Sequence, residues 1–86
     1  MNLEKYYILI KVMESGSFTA AAEELNYTPS GISRMIQSLE DECGFRLLLR
    51  SKTGVIPTAE CKEMIPAIRQ MLLSADLVKK KALAIA

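Results

Sequence analysis

Ser30, Arg34 and Gln37 recur at helical spacing, with Ser33 beside them. At 100° per residue they share one face of a helix, while Ile32, Ile36, Leu39 and Cys43 form a stripe on the opposite face. Hydroxyl, guanidinium and amide groups hydrogen-bond to base edges and phosphate oxygens, so the polar face has the chemistry of a nucleic-acid contact. Glu40, Asp41 and Glu42 crowd the far end of this helix, where they repel phosphate. A nucleic acid must therefore meet the N-terminal end, the end whose dipole favours anions. The alternative is a solvated face on an ordinary helical domain. A second cluster, Arg50-Ser51-Lys52-Thr53, lies between the apolar runs Leu47-Leu48-Leu49 and Val55-Ile56. It suits phosphates or a narrow minor groove, the alternative being a solvated loop with two ordinary cations. Catalytic chemistry has no counterpart here. The chain has no histidine, glycine-rich phosphate loop, carboxylate pair around a nucleophile or metal-ligand cluster, so no catalytic residue, metal or cofactor is predicted.

The elements that must position these residues are legible from punctuation. Ser17 is an N-cap, followed by a short helix containing Phe18, Ala20, Ala21, Ala22 and Leu25. Asn26-Tyr27 breaks that helix, and Thr28-Pro29 starts the next with a hydroxyl at N-cap and proline at N1. Gly44 closes it. Small residues at Ala20, Ala21 and Gly31 would let the two helices cross closely, as a helix-turn-helix requires. Before this pair, residues 2–14 read as a helix with a wide apolar stripe of Leu3, Tyr6, Tyr7, Ile10 and Met13, broadened by Ile8, Leu9 and Val12. It ends at Ser15-Gly16. After the pair, residues 45–57 read as a β-hairpin, a wing whose tip presents Arg50 to Thr53.

From Thr58 onward the sequence predicts one long helix, with Pro66 kinking or loosening it near the second turn. Cys61, Met64, Ile68, Met71, Ala75, Val78, Ala82 and Ile85 alternate steps of three and four, a heptad seam. A helix of about 27 residues spans about 40 Å, whereas a body of about 58 residues is only about 27 Å across. The helix therefore overhangs, and its seam calls for a partner. An identical helix supplies one most simply, with Met64, Ile68, Met71, Ala75, Val78, Ala82 and Ile85 as the pairing residues; folding back onto its own domain is the alternative.

Composition sets the frame. With 86 residues, half of them apolar, the chain is one small globular domain, with an appended helix. No apolar run has the length of a membrane span, and no signal-peptide pattern opens the chain. Cys43 and Cys61 lack CxxC spacing and read as free thiols in a reducing, cytoplasmic setting. Net charge is only +1, but it is unevenly spread. Residues 1–44 hold three Lys/Arg against seven Asp/Glu, a balance of −4; residues 45–86 hold eight against three, a balance of +5. For a phosphate partner a local patch matters more than the net value.

The order of GSFTAAAEEL, a turn, TPSGISRMIQSLEDECG and LLLRSKTGVIPTAE resembles the N-terminal domain of LysR-type transcriptional regulators. The resemblance covers essentially the whole chain. It implies a mainly α fold: a winged helix-turn-helix (three helices plus a short hairpin) over residues 1–57, then a linker helix over 58–86 that pairs antiparallel with a second copy. It further implies sequence-specific binding of double-stranded DNA with two-fold related half-sites. Thr28, Pro29, Ser30, Ser33 and Arg34 fall on the positions that approach bases and phosphates in that family, and Arg50, with Thr53 near it, on its wing contact. With Ser17, Gln37, Ser51 and Lys52 added from the reading of the residues, these make up the expected DNA-binding set. In that family a much larger ligand-sensing domain usually follows. The resemblance thus implies a DNA-binding fragment, on which a small-molecule effector acts only through the missing part. Pro29 and Met35 stand where the family often has glutamine, Leu48 where it has phenylalanine and Cys61 where it often has glycine. The rival class is a protein-interaction module in which the first and last helices dimerise and the helix-turn-helix merely packs.

Overall fold

The computed structural model describes residues 2–86. The order is α1 (Leu3–Ser15), α2 (Phe18–Leu25), α3 (Pro29–Cys43), β1 (Leu48–Ser51), β2 (Gly54–Pro57) and α4 (Ala59–Ile85). This is the winged helix-turn-helix with a long last helix that the sequence implied. Local chemistry fixes the helix ends. Asn2, Ser17, Thr28 and Thr58 each accept a hydrogen bond from a first-turn backbone N–H. Gly16 and Gly44 close α1 and α3 in the left-handed conformation, and Asn26 does the same for α2 at φ +61°.

The core sits where α1, α2 and α3 meet. Ile8, Leu9 and Val12 of α1 pack with Ala21 and Ala22 of α2 and Ile32, Ile36 and Leu39 of α3. Each buried Ile, Leu or Val contributes about 1.5–3 kcal/mol on transfer from water. The small residues at the α2 crossing are Ala21 and Ala22; Ala20, expected there, faces solvent. Gly31 is also confined differently from expectation. A Cβ on it would lie 3.0 Å from Thr28 Oγ1, so its close neighbour is its own N-cap, not another helix.

β1 and β2 pair antiparallel in the register Leu48↔Pro57, Leu49↔Ile56, Arg50↔Val55 and Ser51↔Gly54, turning over at Lys52-Thr53. Leu47 and Leu48 anchor the hairpin base in the core.

Helix α4 runs unbroken through Pro66. Its two halves differ. Cys61 and Ile68 are buried in the chain's own core, with Met64, Ile65, Met71 and Leu72 packed against it. Ile68, expected on a pairing seam, is thus already used inside the chain, and Met64 and Met71 are largely committed with it. α4 packs against α1 and β2, so this half lies back on its own domain. Beyond Ala75 every residue of the helix is exposed. Val78 is 67% exposed and Ile85 87%, and Leu73 and Leu77, outside the expected seam, are 66% and 53% exposed. The molecule measures 48 × 27 × 20 Å, consistent with an overhanging rod. Among the described residues, no helix is long and apolar enough to cross a membrane.

Candidate nucleic-acid interface

The outer face of α3 is built as its periodicity requires. Ser30, Arg34 and Gln37 are exposed, while Ile32, Ile36 and Leu39 hold the helix down from behind. The hydroxyls at its start are already engaged. Thr28 Oγ1 accepts from Gly31 N at 3.0 Å and lies 3.3 Å from Ser30 Oγ. Ser33 Oγ accepts from Arg50 Nη2 at 3.0 Å. Arg34 and Gln37 make no hydrogen bond or ion pair within the chain among the described residues, so their full donor and acceptor capacity faces outward. A free guanidinium can fork onto a phosphate or onto the edge of a guanine, and a free amide can bridge an adenine edge. Pro29 leaves the first turn short of one donor, at a position that needs none.

The wing is placed by ties that sequence reasoning did not foresee. Glu40, one of the three acids crowding the end of α3, turns inward: its Oε2 accepts from Leu47 N at 2.7 Å and Leu48 N at 3.3 Å, with Arg46 Nε 3.5 Å away. Thr58 Oγ1 donates to the Arg46 carbonyl at 2.7 Å, and Thr58 N donates to the Leu47 carbonyl at 2.9 Å. On the second strand, Val55 N donates to the Gly16 carbonyl at 3.0 Å. Gly54, at φ +136°, lies against that same carbonyl, where any Cβ would collide with the oxygen.

These ties correct the expected wing tip. Arg50 does not project from it. Its guanidinium carbon lies 4.2 Å from the centroid of the Phe18 ring while Nη2 reaches Ser33. Ser51 Oγ donates to the Gly54 carbonyl at 3.1 Å and lies 3.2 Å from Thr53 Oγ1, so both hydroxyls shape the turn. Lys52 is left as the wing cation without an intrachain partner among the described residues. Ser17 caps α2 through its side chain, accepting from Ala20 N at 3.2 Å, and is half-buried. Between α3 and the wing runs an open groove of about 630 Å³, floored by Phe18, Ile36 and Phe45 and spanned by Arg50.

Tyr27 was also missed. It is exposed in the turn between α2 and α3, and its hydroxyl donates to Glu4 Oε1 at 2.6 Å, which raises its pKa above the usual phenol range. The bond ties the start of α1 to the helix-turn-helix beside Thr28. No local pattern announces a bond between residues so far apart in sequence. Both cysteines are free, and burial pushes the Cys61 thiol up.

A family model described as bacterial regulatory helix-turn-helix protein, lysR family, matches residues 3–62. The probable HTH-type transcriptional regulator LrrA of Synechococcus elongatus is 38% identical over 78 residues, spanning 91% of this chain and 26% of that protein. The HTH-type transcriptional regulator CzcR of Bacillus anthracis is 35% identical over 80 residues, 93% of this chain and 28% of its own length. The chain thus spans about a quarter of the curated relatives it matches. Among solved structures, a CbnR_DBD–DNA complex superposes with TM-score 0.89 at 30% identity, covering 99% of this chain and 98% of that one. A BenM_DBD complex with benA site 1 DNA superposes with TM-score 0.90 at 32% identity, covering 99% and 96%.

Proposed function

The chain belongs to the lysR family of bacterial regulatory helix-turn-helix proteins, and from that premise we propose that it binds double-stranded DNA and regulates transcription, with no catalytic role. The observation that carries this reading is the outer face of α3. Arg34 and Gln37 stand there without partners among the described residues, on a helix whose N-terminal half is free of acidic residues. The solved DNA complexes of CbnR_DBD and BenM_DBD, so similar over nearly their whole length, support the same assignment.

In the proposed mechanism the N-terminal half of α3 enters a major groove. Arg34 and Gln37 read base edges, and Thr28, Pro29, Ser30 and Ser33 approach the backbone around them. The wing tip at Lys52 meets the backbone or the adjacent minor groove. Residues 1–57 form the DNA-binding unit, and α4 pairs two copies through its overhanging half, where Ala75, Val78, Ala82 and Ile85 continue the seam and Leu73 and Leu77 add apolar surface. Paired copies require an operator with two related half-sites. Such a protein works in the cytoplasm, where its DNA is.

The test is fluorescence anisotropy of a labelled duplex titrated with the chain across a salt series, with sedimentation in parallel. Binding that weakens steeply with salt, by a dimer, is the expected result. A chain that dimerises through its apolar seam yet binds no duplex even at low salt is instead an interaction module.

A further inference from the structure

The wing is fastened to the helix-turn-helix at its base by Glu40 and Thr58, and along its second strand by the Gly16 carbonyl. Its first strand lines an open groove against α3, and Arg50 reaches Ser33 of α3 there. Resting on the DNA-binding reading above, we propose that Arg50 is a positioning residue: it fixes the distance between wing and α3 through Phe18 and Ser33, and the wing's contact with phosphate falls to Lys52.

Three observations carry this. First, the Arg50 guanidinium, though exposed, is held within the chain at two points, its central carbon 4.2 Å from the Phe18 ring centroid and Nη2 on Ser33 Oγ at 3.0 Å. A planar cation over an aromatic face gives up that contact if it swings out to a phosphate. Second, Phe18 begins α2 immediately after Gly16-Ser17, the segment whose carbonyl receives Val55 N. Since Arg50 and Val55 are cross-strand partners, the α1–α2 junction grips both strands of the hairpin at the same level. Third, beyond that level lie only the Ser51–Gly54 pair and the Lys52-Thr53 turn, where Ser51 and Thr53 bond locally and Lys52, among the described residues, has no intrachain partner. Cation and lever are thus separate residues.

The discriminating property is salt dependence, because a phosphate ligand releases a counterion and a lever does not. Binding of the 86-residue chain to one labelled random-sequence duplex is measured across salt for the unaltered chain, Arg50→Lys, Phe18→Leu and Lys52→Gln. Lys52→Gln is expected to reduce the slope of log K against log salt by about 0.9. Arg50→Lys keeps the charge but loses the stack and the planar fork. It is expected to weaken binding several-fold without recovery toward the unaltered chain, and Phe18→Leu to match it. In the Arg50→Lys background, Lys52→Gln should then cost less than it does alone, since the misplaced tip has already lost its contact. Amide shifts at Gly54 and Val55 on Arg50→Lys, recorded without DNA, are expected as the direct sign of a moved wing. Full binding by the Arg50→Lys chain, with those amides unmoved, would show a phosphate ligand and overturn the proposal. If the unaltered chain binds no duplex at low salt, the DNA-binding reading itself fails and this inference falls with it.

Discussion

The two surfaces assigned to DNA are held in opposite ways. The α3 face is presented by a single helix, bolted from behind by Ile32, Ile36 and Leu39, and its longest polar side chains are left unengaged. The wing is a two-stranded hairpin too small to stand alone, and it is held by bonds to α3, α4 and the α1–α2 junction. On α3 the reading groups and the packing groups are different residues on different faces. In the wing tip the exposed polar side chains Arg50, Ser51 and Thr53 bond within the chain, and among the described residues Lys52 has no partner there. A polar residue at an expected contact position is therefore not by itself a contact. What it already bonds to decides.

That contrast can be broken from either side. The largest effect is expected from Gly54→Ala, which places a Cβ against the Gly16 carbonyl at φ +136°. Loss of about 3 kcal/mol in chemical denaturation is expected, from a strained backbone and a displaced strand together. Glu40→Ala should cost about 2 kcal/mol, because the Leu47 and Leu48 N–H groups lose a charged acceptor. Undiminished stability would mean that water replaces the carboxylate and that the wing base is looser than drawn. Arg34→Ala should leave stability within about 0.5 kcal/mol. The same change should cost about 1–3 kcal/mol of binding at a duplex carrying the preferred base. Equal loss on preferred and random duplexes would confine Arg34 to phosphate. The smallest effect belongs to Thr28→Ala, about 1 kcal/mol of stability through the lost cap on Gly31 N, read as a shift in thermal midpoint.

How much of this was legible in the sequence follows the range of the forces involved. Ser17, Thr28 with Pro29, and Thr58 mark helix starts because capping is a contact within one turn, and all three cap as expected. The polar and apolar faces of α3 follow from helical period alone. The wing ties were not legible because they join distant residues: Arg50 to Ser33 seventeen positions back, and Val55 to Gly16 further still. Glu40 shows the cost of reading only locally. As one of three consecutive acids it resembles a solvated helix end, and only the returning chain at Leu47 gives it donors to satisfy. On α4 the heptad seam located the apolar face but not what covers it. The domain itself takes the first half through α1 and β2, so the pairing proposal rests on Ala75, Val78, Ala82 and Ile85 with Leu73 and Leu77 beside them.

The central claim, that the free groups of α3 read base sequence, is tested most directly by selecting bound duplexes from a random pool with the unaltered chain and with Arg34→Ala. A motif with two related halves is expected from the unaltered chain, with loss of preference at one base pair of each half in the variant. The same motif enriched equally by both proteins, or no motif at all, would contradict it.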